Sequence, residues 1–353
     1  TSCHAGRGRG TSFVSSTHTP SNEDEKAQWQ EDYDWEVMHH WLQPMLPTQY
    51  TEASCFKCHN NDLDLKGADQ LNLGLSLVDK SGCNGCHVIQ DYQQMNKVGP
   101  NLTKLNDKVS REWVAKWIKS PKEFRHNTKM PSQFGQENQN TPEMESWNEA
   151  EIFAISSYLV PEERGANSSP DYRFIGDAEN GQYLFESIGC LGCHVVEPEP
   201  IDSETTLYEQ TKQHGPNLIG VGSKTSAEWV YNWIKDPLAY NPETLMPNLR
   251  VSDGDAKDIT AYIMASKNKK FEKLPDVKLD EKVLDGIAFT HLSKQMPESF
   301  ADKKLGEMSL DAKLNYVAKK SITHYGCFGC HNIDGFENAK PNGVELTEEG
   351  SKP

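Results

Sequence analysis

The chain has 353 residues, enough for two or three domains at roughly 100–200 residues each. Only 36% is hydrophobic and the mean hydropathy is −0.72, a poor supply for protein-only cores, so something other than side chains is expected to fill part of the interior. With 52 acidic against 36 basic side chains, a net charge of −16, the composition argues against a nucleic-acid ligand and suits a chain that docks basic partners. The longest apolar runs, such as 152–160, fall short of the roughly 18 residues that span a bilayer. No signal peptide opens the chain, so any export signal is expected to have been removed.

In the first 66 residues the informative pattern is Cys55-Phe-Lys-Cys58-His59, the first of four copies of Cys-x-x-Cys-His. The others are Cys83-Asn-Gly-Cys86-His87, Cys190-Leu-Gly-Cys193-His194 and Cys327-Phe-Gly-Cys330-His331. The pattern is the attachment signature of c-type haem: two thioethers fix the porphyrin and the adjacent His is placed to ligate its iron. Structural zinc or a thioredoxin-like redox pair can also use Cys-x-x-Cys, but neither explains a His directly after the second Cys four times. A disulfide across two residues is strained. Cys3-His4 is read as the end of a fifth copy whose first Cys precedes Thr1.

The rest of this segment is short of apolar residues and rich in His, as expected of bis-His haems packed closely in a loop-rich stretch (1–66). His18 and His39 or His40 are the candidate distal ligands; adjacent side chains on an extended or helical segment point in different directions, so His39 and His40 could serve different haems. Arg7 and Arg9 are expected in a flexible loop that pairs with haem propionates.

From 67 to 165 the reading is helix (68–82, closed by a Gly before Cys83), haem motif, Gly99-Pro100-Asn101-Leu102, a second helix (110–120, capped by Ser110 and stopped at Pro121), Met130-Pro131, and a closing helix near 147–160. From 166 to 275 the series repeats: helix 177–189, Cys190 to His194, Gly215-Pro216-Asn217-Leu218, helix 226–236, Met246-Pro247 and helix 254–267, opened by Ser252 or Asp253. The Gly-Pro-Asn-Leu, Trp-helix and Met-Pro segments share an offset of 116, whereas Cys83 and Cys190 differ by 107, so nine extra residues lie between motif and loop in the second copy. A constant register over this span marks a duplicated domain. Trp113, Trp117, Trp229 and Trp233 fall at i and i+4 on their helices, where core packing against porphyrin is expected. The charged linkers at 161–170 and 267–282 read as boundaries, the second with room for a short helix over 280–292.

The last segment, 276–353, holds a linker and a partial third copy: a helix over 311–325, the Cys327 motif, and Gly343…Leu346 in register with Gly215…Leu218 at an offset of 128. No Trp helix or Met-Pro follows, so the chain is expected to be a fragment lacking the distal ligand of this haem, with Met296, Met308, His291 and His324 as remote alternatives.

Helix, Cys-x-x-Cys-His, Gly-Pro-Asn-Leu, Trp helix, Met-Pro, helix resembles a class I cytochrome c domain over about 200 residues. The resemblance implies a mainly α fold of small tandem helical domains. It also implies Met130 and Met246 as distal ligands opposite His87 and His194, with His126 the runner-up in the first copy, and Pro100 and Pro216 positioning the proximal His. The expected function is electron transfer through four or five covalent haem c groups, with no catalysis, in an extracytoplasmic (periplasmic or extracellular) respiratory chain. Two alternatives remain open: a haem-based reductase of a small oxyanion with one open iron site, and a structural subunit of a cytochrome filament or quinol-oxidising complex. Expected partners are other redox proteins, a membrane quinol-oxidising complex or further copies in an array. His/Met irons hold higher potentials than bis-His irons, so a low-potential N-terminal pair is expected to feed higher-potential domains.

Overall fold

The computed structural model describes residues 20, 22–36, 52, 56, 59, 64–90, 97–136, 141–161, 176–196 and 215–347. The described residues are helical, without strands, and the mainly α expectation holds. They fall into two compact units: 1–98 with 343–353, and 99–342.

In the first unit, α1 (Glu23–Tyr33) is capped by Asn22, whose side chain accepts from Glu25 N at 2.7 Å; Glu23, Asp24 and Glu25 sit in its first turn, where the dipole favours them. Helix α2 (Asp69–Ser81) borrows its cap, the Glu52 carboxylate accepting from Gln70 N and Leu71 N. It ends at Gly82, whose φ of 65° closes the helix with its N–H on Val78 O and Asp79 O. Leu73 and Leu77 of α2 are exposed.

The second unit contains two helix pairs with a Trp helix beside each. Its longer helices, in chain order and apart from several single turns, are α3 (Arg111–Lys119), α4 (Pro142–Leu159), α5 (Ala178–Ser187), α6 (Ala227–Lys235), α7 (Asp253–Ala265), α8 (Glu281–Ser293), α9 (Glu298–Gly306) and α10 (Leu310–Tyr325). Ser110 and Ser226 cap α3 and α6 in the same way, each Oγ accepting from the Trp amide three residues on at 3.2 Å. Helix α4 starts five residues before the expected 147, because Thr141 caps it and Pro142 suits its first position.

In the first pair, α5 crosses α7. Gly181 lies so near Asp258 that a Cβ there would sit 2.0 Å from its carbonyl oxygen, which explains the glycine. In the second pair, α4 crosses α10, which comes from the far end of the chain. Ala150 and Ala154 of α4 pack with Val317 and Ala318 of α10 and with Leu284, Ile287 and Ala288 of α8, all fully or almost fully buried. Helix α8 occupies the second linker, over nearly the stretch 280–292 that has room for a short helix.

This second pairing departs from the order expected along the chain. Residues 67–165 do not pack as one domain: 67–98 lie in one unit and 99–160 in the other. Residues 99–160 instead pack chiefly against the third copy's opening half, 310–342. The physical reason lies in the helix faces. Glu151, 5% exposed on α4, accepts from Ser321 Oγ and Tyr325 OH of α10, both at 2.8 Å. Aligned on the haem motif, α2 offers Leu77 and Ser81 at those two positions, which cannot satisfy the carboxylate in the same way.

Candidate haem sites

Three Cys-x-x-Cys-His motifs lie within the described residues, and each is built alike. A glycine in the left-handed region (Gly82, φ 65°; Gly189, φ 97°; Gly326, φ 67°) ends the preceding helix and starts a single turn. Within the turn the His amide donates to the first Cys carbonyl, at 2.9 Å for His87 and His194 and 3.0 Å for His331. That turn sets the thiols one helical turn apart and sends the imidazole out beyond them.

A loop then clamps each motif through the same two backbone bonds. Gly215 N donates to Cys193 O at 2.8 Å and Leu218 N to Val195 O at 2.8 Å. Gly99 N and Leu102 N do this to Cys330 O and Asn332 O, and Gly343 N and Leu346 N do it to Cys86 O and Val88 O. The loop glycine is forced by the imidazole: a Cβ on Gly99 would lie 2.4 Å from His331 Cε1, and one on Gly215 2.7 Å from His194 Cε1. The next carbonyl accepts from the ring. His194 Nδ1–H donates to Pro216 O, His331 Nδ1–H to Pro100 O and His87 Nδ1–H to Val344 O, each at 2.8 Å. With Nδ1 carrying the proton, Nε2 keeps its lone pair as a ligand atom whose direction is set by the bond behind it.

The Met-Pro loops are fixed in the same way in both copies. Trp117 Nε1 donates to Met130 Sδ at 2.8 Å and Trp233 Nε1 to Met246 Sδ at 2.9 Å, while Thr128 and Thr244 hydroxyls accept from the two Met amides. Each sulfur retains a second lone pair. The Trp pairs stack, Trp113 on Trp117 at 5.3 Å and Trp229 on Trp233 at 5.2 Å between ring centroids. Met246 and Cys190 belong to one continuous stretch. Met130 packs instead in the cluster that holds Cys327, Phe328, Ile322, Ile155 and Trp113, so the pairing of Met130 with His87 is corrected: the motif it shares a crevice with is that of His331. Met130 shares this cluster with Cys327, whereas Met296, Met308, His291 and His324 do not belong to it. No methionine lies among the described residues of the first unit.

A covalently held haem fits these residues on three counts. The described motif cysteines form no disulfide, and burial pushes Cys327 up to about 11 and Cys190 upward, the reverse of what a zinc thiolate or reactive cysteine needs and harmless to a thioether. Among the described residues no group of three or more His, Cys, Asp or Glu is placed to hold a bare metal ion. Trp113 Nε1–H is buried without an acceptor, a donor left for a polar group of the occupant. The candidates Cys3, His4, His18, His39, His40, Cys55 and Cys58 lie outside the described residues; His59 is described and half-buried. Lys108 and Lys224, half-buried cations beside the two Trp pairs, carry no motif of their own, and their shared offset of 116 is the one sequence signal that marks them.

No helix among the described residues is long and apolar enough to cross a membrane. No curated protein and no solved structure matches the chain. Residues 178–267, which run from α5 through the Cys190 motif and the Met246 loop to the end of α7, match the family model for cytochrome c; with the geometry above, that match supports a c-type cytochrome, an electron-transfer haem protein with covalently bound haem c.

Proposed function

We propose that the chain is a multihaem relay that passes electrons through four or five haem c groups in an extracytoplasmic respiratory chain. The observation that carries this reading is the threefold recurrence of one cage: two thiols a turn apart, an imidazole anchored through Nδ1 to a loop carbonyl, and a loop locked by the same two amides. Cys83 with Cys86, Cys190 with Cys193 and Cys327 with Cys330 would hold the porphyrins; His87, His194 and His331 would each offer an imidazole to the iron, and Met246 and Met130 would offer a thioether at the Cys190 and Cys327 sites. Cys55, Cys58 and His59 hold a fourth group, with Cys3-His4 the mark of a fifth. Haem iron supplies reversible one-electron exchange between ferric and ferrous states. The chain's own residues do the rest. Nδ1–H donation fixes the imidazole tautomer, the Trp N–H groups hold the Met sulfurs, and the apolar walls keep water from the crevices.

At the Cys190 and Cys327 sites an imidazole and a thioether would both be available to the iron, leaving no position for a substrate, which favours a carrier over an oxyanion reductase. The acidic surface suits basic redox partners or a quinol-oxidising assembly. A pyridine haemochrome titration with intact mass is expected to count at least four haems per chain, and spectropotentiometry to resolve a higher-potential His/Met class from a lower one. Fewer than four haems, or a single potential class, refutes the relay as described.

A further inference from the structure

The two Cys-His-Met sites of the second unit are joined by a reciprocal contact. Lys108 Nζ lies 4.3 Å from the Trp229 ring centroid and 5.9 Å from that of Trp233, while Lys224 Nζ lies 5.1 Å from the Trp113 centroid. Lys108 and Lys224 share the repeat offset of 116, as do Trp113 and Trp229. The second reciprocal pair agrees: Tyr240 and Lys104 bond through Tyr240 OH to Lys104 O at 2.6 Å and Lys104 Nζ to Tyr240 O at 2.9 Å, and at their counterparts a Cβ on Gly220 would lie 3.4 Å from Phe124 Cζ. If i meets j and the copy of i meets the copy of j, the copies are related by an approximate twofold axis.

At that axis sit three cations, Lys108, Lys224 and Arg125. Arg125 donates to the carbonyls of Asn217 and Ile219, and none of the three meets a carboxylate among the described residues. Burial pushes Lys108 down to about 8; burial, then Lys108 and Arg125, push Lys224 down to about 7. In a chain of net charge −16, a desolvated cation cluster without a counter-ion is a site for an anion. The orphaned Trp113 N–H, beside Lys224, asks for the same occupant.

Resting on the haem reading above, we propose that the two crevices exchange cations across the axis: Lys224, from the Cys190 domain, faces a propionate of the haem on Cys327, and Lys108, from the Cys327 domain, faces a propionate of the haem on Cys190. The two haems are thus an electrostatically coupled pair, each tuned by a residue of the other domain. A cation held near a haem favours the ferrous state, so each lysine raises the potential of the haem across the axis.

The test reads one haem at a time in the full chain. Met246→His makes the haem on Cys190 a low-potential bis-His centre and leaves the haem on Cys327 in the higher window; Met130→His does the converse. In the Met246→His background, Lys224→Met is expected to change the ferric/ferrous equilibrium of the Cys327 haem about tenfold toward ferric, a fall of about 59 mV for one electron, and Lys224→Arg to restore it. Lys108→Met is expected to do the same to the Cys190 haem in the Met130→His background. Methionine keeps most of the apolar stem that lysine packs beside the Trp rings, so both Met variants should retain parental haem counts and circular dichroism. Parental potentials in fully loaded variants, or a shift confined to the lysine's own domain, overturn the cross-axis assignment while leaving the haem reading intact. A colourless parent protein overturns the haem reading, and the inference with it.

Discussion

Helix α10 is set against α4 by one buried acceptor, and a double-mutant cycle tests that pairing. Glu151 is 5% exposed and accepts from Ser321 Oγ and Tyr325 OH, each at 2.8 Å, across a separation of 170 and 174 residues. Tyr325 is in turn held far above the ordinary phenol range, first by burial and then by the Glu151 charge. Tyr325→Phe deletes a hydrogen bond to a charged acceptor, worth about 1.5–3 kcal/mol. In a Glu151→Gln background the same change deletes a neutral bond worth about 0.5–1.5 kcal/mol. The difference, about 1 kcal/mol of coupling, exceeds the roughly 0.3–0.5 kcal/mol within which unrelated sites add. Equilibrium denaturation of the haem-loaded protein, followed by absorbance and by circular dichroism, supplies the four free energies. An additive cycle would mean that Tyr325 and Glu151 do not meet, and that residues 99–160 close over another motif.

The remaining expectations follow from single contacts. Trp233→Phe removes the N–H that draws density from Met246 Sδ; the sulfur becomes a better donor to ferric iron and the potential of that site falls by about 20–60 mV, at about 1 kcal/mol for the bond, an unchanged potential refuting the assignment. Met130→Ala opens the axial position opposite His331, so carbon monoxide is expected to bind the reduced protein at one haem, and that binding should vanish when Cys327 and Cys330 are also replaced; if it vanishes instead with Cys83 and Cys86 replaced, the crevice assignment fails. Gly215→Ala forces a Cβ to within 2.7 Å of His194 Cε1 and must displace either loop or ring; a loss of about 2 kcal/mol or more in stability is expected, and a neutral result would show that the ring does not lie there. Burial, then Lys294, Lys320 and His324, hold His291 below 6.5. Below that value the unfolded chain binds more protons than the folded one, so stability falls as pH drops from about 6.5, and His291→Gln should flatten that part of the pH profile.

Much of the site was legible because its chemistry is local. Cys-x-x-Cys-His needs one turn of backbone, the glycine before it needs a positive φ, and Ser110 and Ser226 announce the helices they cap. The loop of Gly343 to Leu346 was recognisable at four residues since it uses only two amides and one carbonyl, and it clamps a motif as Gly215 to Leu218 does. The start of α4 escaped notice because its first turn is acidic and polar, and the apolar periodicity begins only near Trp147. Lys108 and Lys224 escaped because a lysine before a polar cap reads as surface until the second domain is placed against it.

Which half closes over which motif is a different kind of information. The halves 67–98 and 310–342 carry the same motif and the same preceding glycine, so any rule based on the motif accepts either as the partner of 99–160, and chain order alone favours the nearer one. What separates them sits on the faces of the helices that cross. Glu151 is an acid in the apolar stretch of α4, between Ala150 and Ile152, and a carboxylate in that place has to meet donors on whatever helix covers it. Helix α10 brings a Ser and a Tyr; the positions of α2 in register bring a Leu and a Ser. Ala318 of α10 lies fully buried against α4, whereas the residue in register on α2 is Gly74, with open space around it. The pairing is thus written in the chain as a polar match between two helices about 170 residues apart rather than in any motif, and it becomes readable once Glu151 is treated as a group that must be satisfied.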